Sequence, residues 1–269
     1  MRLSDAELVT ESLLARRAPP GSLPPDSRTI IGGAKTGFVY SPPVILSPSA
    51  VMSMWAAGVA AGAAGVVWWR IVGSGFVWLA GGVALLLGLP AALAGDSVLG
   101  WIGCGFVIVM IGGARRAPLA AGAAVAAAAS FVAAAALDTQ VIAVASGTVF
   151  LGAVTSEMML GHWYLVDPRL PRWALRRLAF AAGFGALFDF GVLVALGAFP
   201  WGAGDTAVGF GFLLLAITTV VLMAAVLGAL REEGYAGVMS ATGLSYLALL
   251  TTIGAVVVGR LLVDGPVLS

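Results

Sequence analysis

Apolar residues run through this chain in long windows broken by short polar or helix-breaking stretches. A helix that crosses a bilayer needs about 20 predominantly apolar residues. Eight windows reach or approach that length: residues 51–69, 71–93, 98–113, 119–137, 141–164, 178–199, 207–230 and 238–262. Between them stand Arg70, Gly95-Asp96, Arg115-Arg116, Asp138, and the stretches 167–177, 201–205 and 231–234. The pattern predicts an all-α, polytopic integral membrane protein with about eight transmembrane helices in residues 49–269. The fourth window is mostly alanine and inserts with little driving force, but small side chains suit close packing. It is therefore expected inside the bundle.

Residues 1–48 read differently, as a tail with a short amphipathic helix and a proline-rich tether. Ser4 and Glu7 have the spacing of a capping box, and Leu3 and Leu8 that of a hydrophobic staple. Pro19 and Pro20 stop that helix, and Pro24, Pro25, Pro42, Pro43 and Pro48 keep the tether extended or irregular. The first apolar run begins near residue 50, beyond the usual window of a secretory signal, so none is expected.

Composition agrees with the windows. Of 269 residues, 60% are hydrophobic and 10% charged, against about a quarter charged in a soluble domain. Lipid must replace water over most of the surface, so the bilayer is the first partner expected. A net charge of +1 gives no reason to expect nucleic acid. Thirteen of the fourteen basic residues are Arg; with the abundant Ala, Gly and Val this suggests a GC-rich bacterial coding bias.

The basic residues sort by loop. Those after windows one, three, five and seven carry Arg70; Arg115 and Arg116; Arg169, Arg172, Arg176 and Arg177; and Arg231. Loops after windows two, four and six carry neither Lys nor Arg. The positive-inside rule puts the odd loops in the cytoplasm of a bacterial inner membrane and both termini outside. The tail's Arg2, Arg16, Arg17, Arg28 and Lys35 argue the other way. They carry less weight, because most lie beyond the 15–20 residues over which the rule acts.

Two acids sit inside apolar windows: Glu157 in the fifth and Asp189 in the sixth. An acid at the centre of a lone helix costs roughly 2.5–3.5 kcal/mol on insertion scales, so it faces a cavity or a partner and marks a pathway by default. Counted from boundaries near Val166 and Leu178, both lie about 14–17 Å deep. A short connection makes the two helices neighbours, so the acids are expected to meet and share a proton. Arg260 falls near the end of the last window, and no base is expected at their depth. The alternative for each acid is a structural hydrogen bond. Thr148, Gly152 and Ser156 recur every four residues, and Gly185 precedes Asp189 by four, which suits close helix contact. Polar residues Ser240, Thr242, Ser245, Tyr246, Thr251 and Thr252 on the eighth window, with Thr218 and Thr219 on the seventh, are candidates to line a polar interior.

His162 is the only histidine. With Trp163 and Tyr164 it falls at a predicted span end, as a headgroup anchor or a contact for a quinone-like ring. Met158, four residues earlier, would sit on the same side of a haem iron as His162, so axial ligation by this chain alone is not expected. Cys104 is alone in an apolar run and reads as a packing residue, with no disulfide or cysteine-rich metal site. No cofactor and no metal are expected.

The sequence holds no HExxH, P-loop, GxSxG or dinucleotide-binding motif. Gly202-Ala203-Gly204-Asp205 with Phe188-Asp189 resembles the two aspartate motifs of the GxGD intramembrane proteases. That resemblance covers a handful of residues, and it sets Asp205 in a loop roughly 15 Å from Asp189 in depth. No catalytic residue is assigned. Three functions remain: a small transporter-like protein with Glu157 and Asp189 as proton or cation carriers; a membrane subunit of a larger, quinone-contacting assembly; or a non-catalytic scaffold with membrane-protein partners or further copies of itself.

Overall fold

The computed structural model describes residues 47–137, 139–167, 169–197 and 206–264. Over those residues every regular element is helical: α1 (Pro48–Trp68), α2 (Ser74–Gly95), α3 (Val98–Gly112), α4 (Ala117–Ala135), α5 (Val141–Val166), α6 (Arg172–Ala195), α7 (Thr206–Ala229) and α8 (Tyr235–Asp264). Seven are long and apolar enough to cross a membrane. With 15 residues α3 is the exception; at about 22 Å it falls short of the hydrocarbon thickness. The expected features of the tail, including the Ser4–Glu7 box and the prolines up to Pro43, lie outside the described residues, as does the 201–205 stretch. Pro48 is described, and it belongs to α1. It occupies the first turn, where a missing N–H costs nothing, and the Ser47 side chain accepts from the Ala50 N–H at 3.1 Å.

The helices pack as two circuits of four. In the first, α1 lies on α2, α2 on α3, α3 on α4, and α4 returns to α1; α5 to α8 close the same way. Phe131 of α4, fully buried, fills the centre of the first circuit against Gly88 and Gly103. Stacked Phe190 and Phe212, 5.8 Å apart, join α6 to α7. A Thr219–Thr251 hydroxyl contact at 2.7 Å joins α7 to α8.

The circuits meet chiefly along α1 and α5. Gly58 and Gly152 allow it: a Cβ on Gly152 would stand 2.5 Å from the Gly58 Cα and 2.6 Å from its carbonyl oxygen. Backbone lies directly on backbone at that crossing, as small residues permit. Trp55 reinforces the contact by donating to the Thr155 hydroxyl at 2.8 Å. Interior position therefore belongs to α1 and α5, each with 67% of its span buried, and not to α4 with 44%. The alanine face of α4 packs on α1, but Leu119, Val125 and Gly122 remain exposed.

The four arginine-bearing connections share one end of the bundle. Trp69, beside Arg70, makes an edge-on contact with Trp173 at 5.2 Å. Arg70 shares a small cleft with Ala117 and Pro118, next to Arg116. Arg172 donates to the carbonyls of Glu232 at 2.6 Å and Gly234 at 2.5 Å, and Arg176 to that of Leu230 at 2.9 Å. These last bonds explain why α6 begins at Arg172 and not near Leu178. The basic turn is too polar for a hydropathy window, yet it is helical, and its side chains reach back to the open carbonyl end of α7.

Candidate functional site

Polar groups gather on one stripe of α5, where it faces α6 and α8. Ser146 and Glu157 are 11 residues apart on α5, about three helical turns and 16 Å, so they share a face at different depths. Each anchors a separate polar centre. Between them on that stripe stand Phe150 and Val154, both buried.

The first centre holds Asp189. Arg260 grips its carboxylate in two-pronged fashion: Nη1 to Oδ2 at 2.7 Å and Nη2 to Oδ1 at 2.5 Å. The Ser146 hydroxyl reaches Oδ1 at 2.6 Å, and Nη2 also donates to the Ala143 carbonyl at 2.7 Å. Arg260 is 0% and Asp189 1% exposed. Three helices are tied at this point: α5 by Ser146 and Ala143, α6 by Asp189, α8 by Arg260. Gly147 makes the seat possible, since a Cβ there would run into the guanidinium. Bidentate pairing is the strongest geometry open to this couple, and Lys could not reproduce it.

The second centre holds Glu157. Its side chain is 0% exposed, and neither carboxyl oxygen has a hydrogen-bond partner among the described residues. Ser245 of α8 approaches it, but that hydroxyl donates to the Ala241 carbonyl at 2.8 Å. Thr242, one turn before Ser245, abuts Gly161 and likewise donates to a backbone carbonyl, that of Val238 at 2.9 Å. The buried Ser156 and Thr148 hydroxyls also lack partners among the described residues. Buried polar atoms are nearly always paired, so such a concentration along one helix is unusual.

The expected meeting of Glu157 and Asp189 does not occur. Asp189 lies level with Ser146, and Gly185 lies against Phe150. Followed along the same antiparallel register, Glu157 comes level with Leu178, three turns away. The span edges caused the error. Asp189 is six residues from the end of α6 and Arg260 four from the end of α8, so both lie about 6–9 Å from those ends. A base does stand at the depth of Asp189. It was legible as an arginine flanked by Val256-Val257-Val258-Gly259 and Leu261-Leu262-Val263.

Compared with protein-family models, with curated proteins and with solved structures, the chain matches none. Any functional reading therefore rests on these side chains.

His162, Trp163 and Tyr164 do not form one patch. His162 is exposed at the α5–α8 seam, its Nδ1 3.3 Å from the Tyr246 hydroxyl. Trp163 turns toward α2, edge-on to Phe76 at 6.1 Å. Tyr164 is buried. Trp163 and Trp173 lie at the arginine-bearing end, as an aromatic belt would. Glu157 is six residues below Trp163, about 9 Å along the helix. Among the described residues no three His, Cys, Asp or Glu side chains gather as metal ligands. Cys104 is buried. Asp205 of the GxGD-like segment lies outside the described residues.

Proposed function

We propose that this multi-pass protein is a small transporter-like membrane protein in which Glu157 carries a proton or a small cation. The carboxyl without a partner supports this reading above all else: Glu157 is fully buried and neither oxygen is hydrogen-bonded among the described residues. Ionised and alone, such a group bears the full cost of a charge away from water; a bound proton or cation removes it. Asp189 enters as the second ionic station. Its charge is already balanced by Arg260, so it holds α5, α6 and α8 in register while Glu157 exchanges its cargo. Charge placement adds a proposed orientation: the arginine-bearing end faces the cytoplasm of a bacterial inner membrane, with the termini outside.

The test is flux. In sealed proteoliposomes holding a pH-sensitive dye, an imposed proton or sodium gradient should drive a signal with the parent protein and none with Glu157→Gln, a substitution that keeps shape and removes charge. Equal signals from the two proteins overturn the proposal.

A second reading has one observation in its favour. The exposed His162–Tyr246 pair offers a donor and an acceptor on the lipid-facing seam, as a quinone ring or a partner subunit would require. A bound chromophore or a stoichiometric partner after mild detergent extraction, lost on His162→Ala, would put a respiratory-type subunit ahead of a transporter.

A further inference from the structure

The outer seam between α6 and α7 opens into a furrow of about 400 Å³, lined by Arg176, Phe180, Ala224, Leu227, Gly228 and Arg231. Its chemistry changes along its length. Arg176 and Arg231 stand exposed at the arginine-bearing end. Phe180 lies about 6 Å further along α6 than Arg176, and Ala224 about 10 Å further along α7 than Arg231. Gly228 and Ala224 keep the floor low. Phe180, 65% exposed, makes a wall. The furrow is thus basic at the mouth, apolar below, and open to lipid along its side.

Charge at the mouth is positive. Arg172, Arg176 and Arg231 stand against Glu232 and Glu233, three guanidiniums against two carboxylates. Arg176 has committed one donor to the Leu230 carbonyl, out of the five a guanidinium carries. Arg231 forms no ion pair among the described residues.

We propose that this furrow binds an anionic phospholipid, its phosphate between Arg176 and Arg231 and one acyl chain along Phe180, Gly228 and Ala224. Basic pockets between transmembrane helices bind such head groups, and guanidiniums match phosphate geometry. The apolar part supplies what a diffuse surface charge lacks, a track for the chain.

Native mass spectrometry of the delipidated full-length protein, titrated with phosphatidylglycerol or with phosphatidylcholine of the same chains, tests this. Each arginine near the head group contributes roughly a fivefold preference for the anionic lipid. Arg231→Gln should remove about that much. Arg177→Gln should not, because Arg177 lies over the Trp173 ring, 4.7 Å from its centroid, and outside the furrow. Gly228→Leu examines the track. A Cβ at residue 228 would meet nothing within 4 Å, so the leucine starts from open space in the furrow and should weaken both lipids. Equal effects of the two arginine substitutions, or unchanged binding in Gly228→Leu, overturn the proposal. So does a polypeptide that co-purifies with the parent and is lost on Gly228→Leu.

Discussion

Arg260 and Asp189 form the interaction most open to quantitative test. Replacing Asp189 with Leu leaves a buried guanidinium with only the Ala143 carbonyl at 2.7 Å and a marginal Ser146 contact at 3.5 Å. Its Nε already has no partner among the described residues. Removing one member of a buried pair typically costs about 3–5 kcal/mol, whereas replacing both by apolar residues of similar size is neutral or stabilising. Asp189→Leu and Arg260→Met should therefore each destabilise by about 3–5 kcal/mol, and the double variant should recover most of that loss. The magnitude belongs at the upper end because both groups are sealed from water, 1% and 0% exposed. Reversible unfolding in mixed micelles of a neutral detergent and SDS supplies all four corners of the cycle. Strict additivity, with the double variant as unstable as the two losses combined, would mean that the pair does not hold the helices together. The same outcome would follow from a loss below about 1 kcal/mol in both single variants, the range of an exposed pair.

Gly147→Ala should reproduce much of the Arg260→Met loss, because its methyl would occupy the guanidinium seat; adding Arg260→Met to it should cost little more in the same unfolding assay. Gly152→Ala should weaken the α1–α5 crossing by about 1–3 kcal/mol, the usual range for overpacking, while Gly122→Ala, with nothing within 4 Å of its Cβ, serves as the unaffected control. Trp55→Phe removes one bond to Thr155 and should cost about 0.6 kcal/mol, with an upper limit near 1.7. In a Cys104→Ser background, cysteines at Arg115, Arg169 and Arg231 should all react with a membrane-impermeant thiol reagent from one side of the membrane only; labelling from opposite sides would refute the shared arginine-bearing end.

The helices were legible because burial in lipid demands long apolar runs, and seven of the eight predicted windows start within three residues of the helices formed or coincide with them. The sixth was the costly exception. Its hydropathy edge at Leu178 ignored six helical residues whose arginines extend to carbonyls on α7, and each residue of error moves a side chain about 1.5 Å in depth. That displacement put Asp189 near mid-membrane, beside Glu157, and hid its true partner. The burial of both acids needed no register at all, since a lone charge in an apolar run must face inward. Pairing is a different matter, because it depends on how three helices slide past one another. The contact of Gly185 with Phe150 sets that slide, and a small-residue pattern says that helices approach without saying at which turn.

The two circuits divide the work unequally. Among the described residues, the buried polar side chains of the first circuit are Ser49 and Ser53, both on α1. Every buried charged side chain among the described residues lies in the second: Glu157, Asp189 and Arg260. The alanine-rich first circuit packs without a buried charge among the described residues and presents α1 as a flat glycine and alanine surface. Against that surface α5 places Thr148, Gly152 and Ser156. Its opposite face is thereby left to hold Ser146 and Glu157 toward α6 and α8. One helix thus serves both as the seam between circuits and as the spine of the polar interior. A shift of α5 against α1 at the Gly58–Gly152 crossing would move both centres at once, and motion confined to α7, on the far side of the second circuit, would reach neither directly. If Glu157 exchanges its cargo by helix movement, α5 is the element that must move. Gly152→Ala should then lower the flux assigned to Glu157, and the Gly122→Ala control should leave it intact.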